Sequence, residues 1–366
     1  VARDVIRRHP ELAGTLIEEI GTVVATACLA HDMGNPPFGH SGEKALQTFF
    51  TEGKGAALKP LLNRDFWNDI THFEGNANAF RLLAHRYKGR REGGFVMTYS
   101  TLASIVKYPY SSAYAGHKGK FGFFCSEKEL FQRIADEMGI IKVSEDGEPL
   151  KYVRHPLVYL VEAADDICYE IMDIEDSHKL KILSFEETKE ALLSFFDEET
   201  RINIEKRIIE EDITDKNEQI VYMRACAIGT LEHECAQAFI HNEKAILEGT
   251  LKGSLIEHIS EKMSKAYRHC SDISWKKIYR SKPVLDVELA GYKIMNTLME
   301  QMIEAVTHPD RYYSKQLICR VSSQYDIDSP DLETRIMAVI DYISGMTDVY
   351  ALDVYQKING ISLPIV

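Results

Sequence analysis

Long apolar runs are missing from this sequence: no stretch of its 366 residues is apolar enough for long enough to span a bilayer, and no signal-type segment opens it. Alternating apolar and polar residues, the mark of half-buried strands, are almost absent, which excludes a sheet-based fold class. Cysteine pairs are missing too. The seven cysteines are scattered, odd in number and never spaced Cys-x-x-Cys, so a disulfide framework is excluded and they read as reduced thiols of a cytoplasmic protein. Basic excess is lacking: Lys and Arg number 43 against 56 acidic residues, a formal charge of -13. That balance argues against broad nucleic-acid binding driven by counterion release, and an anionic substrate would need a local basic pocket. A starting Met is also lacking. Val1 stands inside a helix-like pattern with Val5 and Ile6, and the chain is expected to be cut at its start.

What is there is core-forming material, 45% hydrophobic against 27% charged, in a length that allows one large domain or two. The stretch Ala30-His31-Asp32-Met33-Gly34-Asn35-Pro36-Pro37-Phe38-Gly39-His40-Ser41-Gly42-Glu43 stands out. An apolar run from Val23 to Leu29 reads as a buried helix, and it delivers His31 and Asp32 to a Gly/Pro-rich loop carrying a further His and Glu. Imidazole beside carboxylate suits a divalent first-row metal or magnesium, whereas thiolates would point to structural zinc.

Further on, His72, Glu74 and Asn76 precede the apolar stripe Ala79, Leu82, Leu83, which places them at a helix start, a position that favours anions. Residues 88–124 interleave Lys and Arg with aromatics, as either a mobile basic flap or a solvated loop. Ser126 to Glu129 and Ser184 to Glu187 have the capping-box pattern, and Gly139 terminates the first of these helices. From Pro156 a long helix sets Asp165, Tyr169 and Asp173 on one face at i, i+4 and i+8. Its other residues are apolar on nearly every side, which predicts burial nearly all round, and buried carboxylates are seldom tolerated without a cation or hydrogen-bond partners. The rest is helical scaffold. His233, Cys235 and His241 sit on an apolar-patterned helix and lack a fourth donor, which favours core and surface roles over zinc. The expected class is all-α.

Ala30-His31-Asp32, His72-Phe73-Glu74-Gly75-Asn76 and Glu162-Ala163-Ala164-Asp165-Asp166-Ile167 together carry a resemblance. The chain resembles the bacterial deoxyguanosinetriphosphate triphosphohydrolases (dGTPases) of the HD-domain phosphohydrolase superfamily, along nearly its whole length. The late stretches Tyr279 to Pro283 and Asp341 to Ala351 fit the same branch. The resemblance implies a helical HD-domain fold, with residues 1–180 as the metal- and nucleotide-binding core. Residues 181–366 would form a helical part packed on that core, adding to the nucleotide pocket and to oligomer contacts, the whole as one globular unit. It implies His31, Asp32 and Asp165 as ligands of a divalent metal, Mg2+ or Mn2+, with a first His expected upstream of Val1. It implies His40 and Glu43 as a proton-transferring dyad, His72 as a second phosphate-facing His, and Lys107, Tyr108 and Lys120 as neutralising the triphosphate. Asn76 is grouped with the substrate-binding residues. Tyr169 would exclude a 2′-hydroxyl and Asp173 would accept from the 3′-hydroxyl. The implied reaction converts a deoxynucleoside triphosphate, dGTP by preference, to the deoxynucleoside and tripolyphosphate. The implied assembly is a homo-oligomer without membrane partners; single-stranded nucleic acid binding, known in part of the family, finds no support in the charge. Two alternatives stay open, hydrolysis of another nucleotide phosphoester and a non-catalytic nucleotide sensor.

Overall fold

The computed structural model describes residues 1–362. Among them no strand forms; extended residues pair only as isolated bridges such as Tyr110 with Lys151. The all-α class expected from the missing strand patterns is the class adopted. The chain divides into two compact units, one built from Val1–Cys28 and Pro156–Leu285, the other from Leu29–His155 and the residues from Asp286 on.

The first unit is organised on helices Val158–Lys179 and Lys216–His241. Ile167, Ile171 and Ile174 recur at helical spacing on one, Ile220, Met223, Ala227 and Leu231 on the other, and all are almost inaccessible. They form one core with Ala191 and Leu192 of helix Phe185–Leu193. Each buried Ile contributes about 2 kcal/mol. Side chains close the helix starts: Asp215 accepts the Glu218 N–H at 3.0 Å, and Ser184 with Glu187 forms the expected capping box. Glu175, 1% exposed, is tolerated in this core because Arg224 and Lys179 both reach it. Cys235 is a core residue whose burial pushes its thiol up to about 12, far from thiolate chemistry.

The second unit packs helices Gly39–Thr51, Arg64–Thr71 and Gly75–Ala84 with Leu332–Ser344 and Asp348–Ile358. Leu46, Phe49, Phe50 and Ile70 meet Leu298, Met299, Ile336, Val339 and Ile343 in its core. Arg81 is fully enclosed: Nε and Nη2 donate to the two carboxylate oxygens of Asp341 at 2.7 Å each, and Nη1 donates to Glu127 at 2.6 Å. A guanidinium can be buried here because both carboxylates meet its fork.

Four expectations change. Helix Ile20–Ala30 is not buried throughout: Leu29 is 84% exposed, Val23, Val24 and Cys28 are half-buried, and only Ala27 and Ala30 are fully buried. An apolar helix without a polar stripe does not show which of its faces is covered. Helix Val158–Lys179 is not buried all round either, since Cys168, Tyr169 and Met172 form an exposed stripe. Ser126 makes no capping box; the short turn Cys125–Glu127 precedes helix Lys128–Met138, and the Ser126 hydroxyl donates to Glu127. Residues 99–124 are anchored rather than a free flap, while 88–98 are largely exposed: helix Tyr99–Ile105 is largely buried, Phe121 and Phe124 join the core, and Phe123 stacks on Phe131 at 4.5 Å.

Candidate active site

His31 and Asp32 open the tight turn His31–Gly34 that follows helix Ile20–Ala30. His31 Nε2 and Asp32 Oδ1 face each other at 3.4 Å, the imidazole largely covered and the carboxylate largely exposed. Asn35 Nδ2 donates to the same Asp32 oxygen at 2.9 Å. The turn lies hard against helix Gly75–Ala84. A Cβ on Gly34 would collide with the Ala79 nitrogen and the Gly75 carbonyl, and Asn78 Nδ2 donates to the Gly34 carbonyl at 2.8 Å. Glycine is required there by backbone proximity.

The chain re-enters a helix at Phe38, whose left-handed conformation (φ 63°) is held by an Asp348 carboxylate accepting its N–H at 2.9 Å. On the first turn, His40 Nδ1 and Glu43 Oε2 lie 3.2 Å apart, an i, i+3 pair. The His40 side chain is 84% exposed and that of Glu43 is 9% exposed. Glu43 Oε1 accepts the Gly75 N–H at 2.7 Å, and Lys120 Nζ stands 3.7 Å from Oε2. Burial opposes the charge on Glu43, but the hydrogen bond from His40, Lys120 and the Gly75 N–H outweigh it and hold the carboxyl below its usual range. The same bond raises His40 above the ordinary imidazole value.

Glu74 is 1% exposed and accepts from Asn76 N at 2.9 Å, Ala77 N at 3.2 Å, Asn76 Nδ2 at 2.8 Å and Lys120 Nζ at 2.7 Å. This changes the expectation of an anion-accepting helix start. The first-turn N–H groups of helix Gly75–Ala84 are taken by the protein's own carboxylates, Glu43 and Glu74. The Asn76 amide is likewise turned to Glu74, and Lys120 is an ion-pair partner of both acids. His72 donates from Nδ1 to the Asn68 carbonyl at 2.9 Å, which orients the ring and leaves Nε2 for another partner. Lys107 Nζ lies 6.0 Å from the centre of the Tyr108 ring, and the Lys107 carbonyl accepts from Arg154 Nε at 3.1 Å.

In the first unit, Asp165, Tyr169 and Asp173 occupy successive turns of helix Val158–Lys179. Asp173 Oδ2 accepts from the Tyr279 hydroxyl at 2.6 Å, and the rings of Tyr169 and Tyr279 lie 6.4 Å apart. Burial raises the Asp173 carboxyl, with the Tyr279 hydrogen bond pulling the other way. Glu74 and Tyr279 are the contributors that residue patterns alone did not assign. The signal for Glu74 is its position one residue before a helix, where a carboxylate caps the first N–H groups.

Helical phosphohydrolases are the class that fits a His-Asp turn followed by a His-Glu helix start, and residues 258–357 match the family model of a phosphohydrolase-associated domain. A deoxyguanosinetriphosphate triphosphohydrolase-like protein of Synechocystis is 35% identical, over 99% of this chain and 82% of its own length. One of the same description from Pseudomonas aeruginosa is 32% identical, over 94% and 79%. The deoxyguanosinetriphosphate triphosphohydrolase of Yersinia enterocolitica is 26% identical, also over 94% and 79%. The chain belongs to the deoxyguanosinetriphosphate triphosphohydrolase family of HD-type phosphohydrolases. No helix among the described residues is long and apolar enough to cross a membrane.

Proposed function

We propose that the protein hydrolyses deoxynucleoside triphosphates, dGTP by preference, to the deoxynucleoside and inorganic tripolyphosphate in a metal-dependent reaction. The observation that carries this reading is the His40–Glu43 pair: an exposed imidazole held through Nδ1 by a buried carboxylate, nine residues beyond a His-Asp pair. That is the construction of a proton-transfer group aimed outward.

The donor set of His31, Asp32 and Asp165 suits a divalent ion such as Mg2+ or Mn2+, and the 3.4 Å approach of imidazole to carboxylate on one turn supports two of its donors acting together. When bound, such an ion polarises a phosphate oxygen and lowers the pKa of water. The remaining work falls to side chains. Water attacks the α-phosphorus and the bond to the 5′-oxygen breaks. His40, protonated on Nε2, gives its proton to the departing 5′-oxygen, while Glu43 holds Nδ1 and stabilises the imidazolium. His72 offers its ring toward phosphate, with Nδ1 committed to the Asn68 carbonyl. Lys107 and Tyr108 oppose triphosphate charge, as phosphoryl chemistry demands. Lys120 contributes through Glu43 and Glu74, and Asn76 through the cap on Glu74. Tyr169 packs beneath C2′ and Asp173 accepts from the 3′-hydroxyl.

The test is anion-exchange chromatography of products from the full-length protein incubated with dGTP and Mg2+ or Mn2+. Tripolyphosphate is expected. Pyrophosphate or orthophosphate as first product would assign a different phosphoester cleavage, and dGTP binding without product would assign a sensor. GTP run in parallel tests the sugar: equal rates for GTP and dGTP would overturn the role of Tyr169.

A further inference from the structure

Helix Glu261–Ile273 does not end in an ordinary cap. It passes into one turn of π-helix, Ser274–Ile278, closed by the Tyr279 N–H donating to the Ser274 carbonyl at 3.0 Å. One extra residue in a turn rotates every following side chain by roughly 100° about the axis, so the π-turn sets where Tyr279 points. Such turns are unfavourable and need something to hold them. Here the holder is Glu170.

Glu170 lies on helix Val158–Lys179, one residue after Tyr169 and three before Asp173, and is 7% exposed. Its Oε2 accepts from the Ser271 hydroxyl at 2.6 Å and its Oε1 from the Ser274 hydroxyl at 2.8 Å. A buried carboxylate is costly, and an apolar residue would fill the same space without that cost. What the carboxylate adds is a fixed direction for two hydroxyls, one on the last α-turn and one at the first residue of the π-turn. The contacts form a closed circuit. Glu170 holds Ser274, the Ser274 carbonyl holds the Tyr279 N–H, and the Tyr279 hydroxyl donates to Asp173 Oδ2 at 2.6 Å, back on the helix that bears Glu170. With Oδ2 accepting from Tyr279, Oδ1 is the oxygen that the proposed 3′-hydroxyl would meet.

We propose that Glu170, through Ser274 and the π-turn, is a positioning residue for deoxyribose recognition, setting the Tyr279–Asp173 pair that meets the sugar 3′-hydroxyl. This rests on the proposed reading of Asp173 as the 3′-hydroxyl acceptor. The carboxylate touches no substrate atom; it aims the group that does.

The measurement is kcat/KM for dGTP divided by kcat/KM for 2′,3′-dideoxyGTP, which lacks only the 3′-hydroxyl, in the full-length protein. Damage that merely loosens the fold lowers both values together and leaves the ratio alone. Glu170→Ala and Ser274→Ala are each expected to lower the ratio by about tenfold or more, the size of a lost hydrogen bond to a charged group. Glu170→Gln, whose amide oxygen and nitrogen can each meet a serine hydroxyl, is expected to restore it. Asp173→Ala is run as the reference. If Asp173→Ala collapses the ratio while Ser274→Ala and a folded Glu170→Ala leave it at the wild-type value, the positioning role is wrong and the reading of Asp173 stands. If Asp173→Ala leaves the ratio unchanged, Asp173 does not read the 3′-hydroxyl, and the inference falls with that reading. Should Glu170→Ala fail to fold, Ser274→Ala, which removes a single hydroxyl, decides alone.

Discussion

Lys120 and Glu74 form a 2.7 Å ion pair in which the carboxylate is 1% exposed and the ammonium 27%. The same ammonium stands 3.7 Å from Glu43, so one cation serves two acids that would otherwise repel each other. Breaking such a pair from the cationic side leaves a buried carboxylate uncompensated. Lys120→Met is expected to lower stability by about 3 kcal/mol in urea unfolding. The double variant Lys120→Met with Glu74→Gln is expected to recover most of that loss; a double variant no better than the single one would mean the pair is not what holds Glu74.

The His40–Glu43 contact makes a pH prediction with a definite sign. Glu43 raises the His40 pKa, so the contact is complete below the unfolded imidazole value and is lost as pH rises through the folded one. If the imidazolium delivers the proton, kcat falls over that same upper window. Glu43→Gln removes the main cause of the shift and is expected to move the alkaline limb of the pH-rate profile to lower pH. An unmoved limb assigns it to another group. His40→Ala is expected to lower kcat by about two to four orders of magnitude while leaving the protein folded, because the ring is mostly in solvent.

Gly34 tests whether the His-Asp turn needs its close seat on helix Gly75–Ala84. A methyl group there meets backbone atoms of Ala79 and Gly75, which cannot swing aside as a side chain would. Gly34→Ala is expected to cost about 2 kcal/mol and to weaken Mn2+ binding measured by calorimetry. Gly21→Ala is the control, since its Cβ meets nothing within 4 Å. Equal behaviour of the two variants would show that the turn tolerates displacement.

How much of this was legible in the sequence depends on the separation of the partners. His31 with Asp32 and His40 with Glu43 are local, one an adjacent pair and the other an i, i+3 pair, so spacing alone put each together. Asp165, Tyr169 and Asp173 were readable as one helix face for the same reason. The Tyr279–Asp173 bond joins residues 106 apart and the Lys120–Glu74 pair residues 46 apart, and no periodicity reports such contacts. The helix start at Gly75 was legible, but its role was not. An N-terminus favours any anion, and two carboxylates of the protein itself got there first. Burial was least legible where apolar residues surround a helix, as on Ile20–Ala30.

The division of the chain bears on its synthesis. Val5 belongs to a core that also needs Ile278, and Leu46 to one that also needs Val354. Neither core can close while the chain is being made until most of it has left the ribosome, so apolar surface from both stays uncovered through most of translation. A nascent chain halted near its middle holds two unfinished interiors and no finished one, which makes it a substrate for chaperones and proteases rather than a half-sized enzyme.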